Sequence, residues 1–327
     1  MTFMVFNMGM DTATANQFIE RLEFNQKNGK SSIKDEVQFG ETEIRRFPDG
    51  ESYLNVLSDV AGLHCVLLID ASVPDEQFLQ WIFMAENLKE LGAESVGCLI
   101  PYLPYMRQDI RFKPGECVTS RHFAKLMSQS FDWLMTSDPH LHRYDCLSEI
   151  YSIPTHIVPA APAIAHWIKA NVKNPLIVGP DMESEQWVSD VAGMVGCDYE
   201  VLLKERSGDR DVEVSLPKYQ SHRNQTPVLV DDIISTGQTM AKAVGSLIAS
   251  GMNPPVCIGV HPLFSDACVG LLTESGAAQV VSCNTLMHPT AQINMVKLWA
   301  DAFGRWVRTL ELVQDTSLEP YPMALAQ

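Results

Sequence analysis

The segment Val228-Leu229-Val230-Asp231-Asp232-Ile233-Ile234-Ser235-Thr236-Gly237-Gln238-Thr239 gathers groups that could do chemistry. An apolar strand delivers two carboxylates at its C-terminal end, and a short hydroxyl-rich turn then opens a helix. In an open α/β sheet that edge is where ligands bind. Backbone N–H groups of the turn and the helix N-terminus suit a phosphate, and Ser235, Thr236 and Thr239 add hydroxyl donors. Asp231 and Asp232 would face what the phosphate carries, sugar hydroxyls or a metal ion. A helix capped by Thr236 beside two solvated acids explains a generic Asp-Asp pair. It does not explain the whole string.

Basic groups stand at two other predicted strand ends. Arg107 and Gln108 follow the aromatic, proline-rich Pro101-Tyr102-Leu103-Pro104-Tyr105-Met106; a guanidinium can meet phosphates and an amide can read a purine edge. Lys204 and Arg206 lie where Leu202-Leu203 runs into a charged, glycine-containing loop. A basic loop closing on a transferred phosphoryl group would stabilise charge developing on its oxygens. Phe47-Pro48-Asp49-Gly50-Glu51 predicts a β-turn. Phe47 offers a stacking face there, and Asp49 and Glu51 offer acceptors. His140 and His142 form a His-x-His pair, a weak metal signal by itself.

The 228–239 string resembles the phosphoribosyl-diphosphate signature shared by type I phosphoribosyltransferases and ribose-phosphate diphosphokinases. Arg46-Phe47-Pro48-Asp49-Gly50-Glu51 and Pro101-Tyr102-Leu103-Pro104-Tyr105-Met106-Arg107-Gln108-Asp109 are similar to diphosphokinase motifs, as are Asp138-Pro139-His140, Gly179-Pro180-Asp181 and Lys204-Glu205-Arg206. The resemblance implies pyrophosphoryl transfer from ATP to the 1-hydroxyl of ribose 5-phosphate, giving 5-phosphoribosyl 1-diphosphate and AMP. It makes Lys204 and Arg206 the catalytic pair. It places Phe47, Asp49, Glu51, Arg107, Gln108 and His140 at ATP, with Phe47 stacking on adenine. Asp231, Asp232, Ser235, Thr236, Gly237, Gln238 and Thr239 would hold ribose 5-phosphate. The implied cofactor is Mg2+, with His140 and Asp181 as ligands; magnesium prefers oxygen donors, which favours Asp181. His142 is left a structural role. A homo-oligomer, a dimer or an assembly of dimers, is also implied.

The chain departs from the pattern in places. Small residues usually follow the Pro-Asp of the pyrophosphate-facing loop, whereas here Met182-Glu183-Ser184-Glu185 follow. Glu183 could sit in the first turn of a helix, reach phosphate through magnesium, or weaken pyrophosphate binding. Ser235 replaces a common Asp and Gln238 a common Gly, both keeping hydrogen-bonding capacity. Two rival readings stay open. A phosphoribosyltransferase consuming the activated sugar fits 231–239 but not the Phe47 and Arg107 motifs. A silent partner subunit of an active homologue is kept open by Glu183.

These residues need elements to position them, and the chain supplies one α/β unit twice. Cys65-Val66-Leu67-Leu68-Ile69-Asp70, a helix near Asp75 to Leu91 and Val96-Gly97-Cys98-Leu99-Ile100 match Pro227-Val228-Leu229-Val230-Asp231, a helix near Thr239 to Ser250 and Val256-Cys257-Ile258-Gly259-Val260. Each helix stops at a glycine, Gly92 or Gly251. Continuous apolar strands alternating with helices predict parallel sheets covered on both faces. The expected fold is α/β, two tandem similar type I phosphoribosyltransferase-like domains, 1–157 and 158–327, with the C-terminal tail packing back on the first. The first repeat's strand end, Asp70-Ala71-Ser72-Val73-Pro74, lacks the phosphate signature, so one sugar-phosphate site per chain is expected.

Composition narrows the partners. Forty acidic against 24 basic residues give a net charge of −16, which disfavours nucleic acid and anionic membrane surfaces. No apolar run reaches the roughly 18 residues of a membrane span. The eight cysteines contain no Cys-x-x-Cys pair and read as buried thiols. A soluble, cytoplasmic protein is expected.

Overall fold

The computed structural model describes residues 2–27, 37–180, 182–207, 211–215, 222 and 224–315. The first repeat contains β1 (Phe3–Met8), α1 (Thr12–Lys27), β2 (Val37–Phe39), the hairpin β3 (Thr42–Arg46) and β4 (Ser52–Val56), β5 (His64–Ile69), α2 (Pro74–Glu90), β6 (Ser95–Leu99), α3 (Thr119–Ser130), β7 (Trp133–Thr136) and β8 (Thr155–Ile157). The second contains α4 (Ala161–Asn171), β9 (Pro175–Gly179), α5 (Glu185–Val195), β10 (Tyr199–Val201), the hairpin β11 (Leu203–Ser207) and β12 (Asp211–Ser215), β13 (Thr226–Ile234), α6 (Gln238–Ala249), β14 (Val256–Pro262), α7 (Asp266–Glu274), β15 (Gln279–Cys283), β16 (Ala291–Ile293) and α8 (Val296–Asp315).

The two sheets have one topology. Their orders are β2-β1-β5-β6-β7-β8 and β10-β9-β13-β14-β15-β16, parallel throughout. The hairpins β3–β4 and β11–β12 occupy equivalent places in the chain order. Strand β5 is buried at every residue, as expected of a parallel strand covered on both faces. The helices stop where the glycines predict: Gly92 and Gly251 follow the C-caps of α2 and α6 with φ of 91° and 79°. Strand β1 carries no counterpart in the duplicated pattern read from sequence, yet it lies inside the first sheet between β2 and β5.

The helix that follows each sheet in the chain packs beside the other sheet. Helix α4 follows the first sheet but lies against α5, and α8 follows the second sheet but lies against α1. Asn25 of α1 donates to Asp301 of α8 at 2.8 Å. The Phe303 ring stands edge-on to Phe3 and Phe18 at centroid distances of 5.2 and 6.0 Å. One apolar cluster consequently runs from Phe3, Phe18 and Trp133 through Ile164 to Ile177, Val230 and Trp299. Burying Phe303 alone contributes about 1.5–3 kcal/mol. The exchange joins the sheets through a shared core, and it fixes how their carboxyl edges meet.

Candidate active site

A cleft of about 350 Å³ opens at that meeting. The second repeat supplies Asp231, Asp232, Thr239, Ser184 and Trp187; the first supplies Arg107 and the loop from Asp138 to His142. Asp231 and Asp232 lie near the end of β13, where Asp231 pairs in register with Gly259. The turn then reaches Gly237, whose φ is 75° and which takes the N-cap position of α6 with no side-chain cap. That corrects the capped-helix alternative, which put Thr236 there. Without a capping side chain, the first-turn N–H groups of α6 are left for water or a ligand. Gly237 is required twice over, by its left-handed backbone and because an added Cβ would lie 2.3 Å from Cys268 Sγ. Gln238 and Thr239 begin the helix and are exposed, as is Thr236.

Across the cleft, His140 Nδ1 lies 2.7 Å from Asp232 Oδ2. With a carboxylate as its partner, Nδ1 carries a proton and donates it to Oδ2. The Asp232 carboxyl loses solvation by burial, but the hydrogen bond and charge of His140 and the Ile233 N–H outweigh this and hold its pKa below the ordinary value. The His142 ring stacks 3.7 Å from His140. Ligand atoms of His140, His142 and Asp232 all lie within 4.8 Å of one another. His142 is thus part of the constellation that sequence reasoning left it out of.

Asp138, two residues earlier, has a φ of 31° and accepts the Ala160 N–H at 2.6 Å. Burial raises its pKa to about 6, against that hydrogen bond. Ser184 closes the approach to β9: a Cβ on Gly179 would lie 2.3 Å from Ser184 Oγ.

The other expected site residues divide. Arg107 is exposed at the cleft, but Gln108 does not line it; its backbone carbonyl accepts the Ser120 N–H at 3.3 Å. The 47–51 turn forms as predicted, with Gly50 N–H on the Phe47 carbonyl at 2.9 Å. It caps the β3–β4 hairpin outside the cleft. Arg46 ties the hairpin to α2 through the Glu76 carbonyl at 2.7 Å, so Phe47, Asp49 and Glu51 are exposed away from their own chain's site. Lys204 and Arg206 fall at alternate positions of β11, paired with Val214 and Val212 of β12. The strand end read from sequence is one arm of an antiparallel ribbon. Asp181 lies outside the described residues. Glu183 falls in a short 3-10 turn, Met182–Ser184, that precedes α5.

A second cleft of about 360 Å³ lies at the equivalent place across the junction, with Asp11 and Asp70 where the first has Ser184 and the Asp231–Asp232 pair. Among the described residues it is lined by no Arg or Lys, which makes it a poor phosphate site.

Residues 3–130 match the model for the N-terminal domain of ribose phosphate pyrophosphokinase, and residues 148–292 match the phosphoribosyl transferase domain. The chain belongs to the ribose-phosphate pyrophosphokinase family. The family's enzyme from Methanothermobacter thermautotrophicus is 34% identical over 260 residues, 79% of this chain and 90% of that one. The enzyme from Methanobrevibacter smithii is 30% identical over 277 residues, 81% and 91% of the two chains. In fold, the chain is similar to phosphoribosylpyrophosphate synthetase from Mycobacterium smegmatis, with a TM-score of 0.79 over 95% of this chain and 100% of that one, at 22% identity. Among the described residues no helix is long and apolar enough to cross a membrane.

Proposed function

We propose that the chain transfers the pyrophosphoryl group of ATP to the 1-hydroxyl of ribose 5-phosphate at the interdomain cleft. The observation that carries this reading is the meeting of the Asp231–Thr239 strand, turn and helix with Arg107 and His140 from the other repeat. The turn N–H groups and Thr239 would hold the 5-phosphate, and Asp231 and Asp232 would orient the ribose hydroxyls. The 1-hydroxyl oxygen attacks the β-phosphorus and gives up its proton to solvent, a new O–P bond forms, the bond from the β-phosphorus to the α–β bridging oxygen breaks, and AMP leaves with that oxygen. Arg107 would meet the ATP phosphates, and the ribbon bearing Lys204 and Arg206 would close on the transferred group. Among described groups no covalent nucleophile is needed; positioning and cationic stabilisation suffice in kind.

Magnesium takes few protein ligands, favours oxygen and keeps several waters; of the described cluster only the Asp232 carboxylate is such a donor and the two imidazoles are poorer ones, so most of the ion's coordination would fall to water, Asp181 and substrate phosphates. We assign His140 and Asp181 as its ligands, with Asp232 orienting His140. Bound Mg2+ would neutralise charge on the β- and γ-oxygens. The exposed 47–51 turn, lying outside its own cleft, fits a homo-oligomer in which it serves the ATP side of a second copy's site. Eight free cysteines suit a reducing compartment, and we place the protein in the cytoplasm.

AMP formation from ATP, ribose 5-phosphate and Mg2+ tests the reading, comparing the intact chain with Lys204→Ala. Product should require all three components and fall by about 10²-fold or more in the variant. No product from folded protein would sink the stand-alone enzyme and leave a silent subunit.

A further inference from the structure

Outside the groups already used, a buried ionisable side chain crosses the junction. His261, at the end of β14, is 1% exposed. Its Nε2 lies 3.2 Å from the Asp138 carbonyl of the opposite repeat. A carbonyl can only accept, so Nε2 carries the proton given to Asp138, and the Thr285 hydroxyl, 3.0 Å from Nδ1 and 2.8 Å from the Val260 carbonyl, shares its one proton between those two acceptors. The Tyr102 ring covers one side of the imidazole at 5.1 Å. Trp299 of α8 reaches the same turn, donating its indole N–H to Ser137 Oγ at 2.8 Å. Two side chains of the second repeat therefore grip successive residues of the first repeat, one turn before His140.

That grip falls where the backbone needs it. Asp138 is one of three non-glycine residues with positive φ among the described residues, a conformation retained when surrounding contacts enforce it. Its carbonyl is directed to His261 and its carboxyl to Ala160, and the chain then turns to put His140 beside Asp232. Burial keeps His261 neutral, with its pKa lowered to about 4, so the single N–H is committed to this bond near neutral pH.

We propose that His261 is a positioning residue: by holding the Asp138 carbonyl, with Trp299 on Ser137, it sets His140 against Asp232 and so couples the seating of the two repeats to the assembly of the site. The inference rests on the functional reading only for its kinetic consequence; the placement of His140 is a separate observable.

The test uses the full chain, His261→Leu, which removes the donor, and His261→Gln, whose amide can restore a donor near Nε2. With histidines labelled at Cε1, the His140 resonance, assigned by its loss in His140→Ala, should move in His261→Leu and return in His261→Gln. In the AMP assay, His261→Leu should lose about 10- to 100-fold in kcat, and His261→Gln should recover most of it. In a His140→Ala background the Leu substitution should cost less than about twofold more, because its effect passes through His140. An unmoved His140 resonance in folded His261→Leu overturns the proposal. So does equal loss in Leu and Gln, or an undiminished Leu effect in the His140→Ala background. If His261→Leu does not fold, Trp299→Phe, which deletes only the indole donor, carries the same comparisons. A chain that forms no AMP would count against the enzymatic reading, while the resonance would still decide the placement of His140.

Discussion

Gly237→Ala should damage the phosphate turn in two separable ways. The first is conformational. At a φ of 75° an alanine pays the left-handed penalty of about 1–2 kcal/mol. The second is steric, because the new methyl would lie 2.3 Å from Cys268 Sγ, on α7 behind the turn. Overpacking of this kind costs about 1–3 kcal/mol. Together the loss should be about 2–5 kcal/mol, read by urea unfolding, with a raised KM for ribose 5-phosphate as the turn is pushed off its N–H geometry. Cys268 offers a way to divide the two. Its Cβ would be 3.7 Å from the new methyl, ordinary contact, so Cys268→Ala removes the clash and leaves the backbone strain. In a double-mutant cycle the pair should be about 1–3 kcal/mol more stable than the single effects predict. Stability of Gly237→Ala within about 0.5 kcal/mol of the parent, at the low end of single-substitution effects, would refute the argument. A cycle with no coupling would refute its steric half.

The shared core predicts that Phe303→Ala, on the exchanged helix α8, loses about 3–5 kcal/mol in urea unfolding; a loss below about 1 kcal/mol, typical of an average substitution, would show that α8 is dispensable. The pKa shifts at the junction predict opposing pH effects. Asp138, raised from 3.8 to about 6, favours the folded state below pH 4 and loses that advantage as pH climbs to 6; His261, lowered from 6.5 to about 4, contributes above pH 6.5 and loses it as pH falls to 4. Asp138→Asn should therefore gain stability relative to the parent as pH rises from 4 to 6, by up to roughly 2–3 kcal/mol, and a flat difference in chemical unfolding would contradict the shift. If the 47–51 turn serves a neighbouring site, Phe47→Ala and Lys204→Ala chains, each poorly active, should recover up to roughly a quarter of parental activity after mixing and subunit exchange. No recovery between chains shown to exchange would place the turn elsewhere.

The legible part of the molecule was the part written in local periodicity. Apolar runs such as Cys65–Ile69 and Val228–Val230, short and rich in β-branched residues, read as covered strands, and Gly92 and Gly251 end their helices for steric reasons that need no tertiary context. The motif residues Asp231, Asp232, Arg107 and His140 were legible as chemistry, and their convergence follows once two like sheets meet at their carboxyl edges. His142 was not, because two loop residues at a spacing of two carry no period that says whether they face each other; a turn of particular φ at Asp138 decides it. Gln108 and the 47–51 turn show the converse. A motif states which groups occur together in a family, and the fold of one chain leaves Gln108 off the cleft lining and ties the turn to α2.

The exchange of α4 and α8 is the feature with most consequence. Each helix has an apolar face that would cover either sheet equally well, so composition cannot choose. The choice is made by long-range partners: Asn25 meeting Asp301, Phe303 entering between Phe3, Phe18 and Trp133, and Trp299 reaching Ser137. The last contact belongs both to the core and to the turn that carries His140. A duplicated chain that had kept each helix on its own sheet would have lacked it, and the facing carboxyl edges would have had to hold their geometry without that bond.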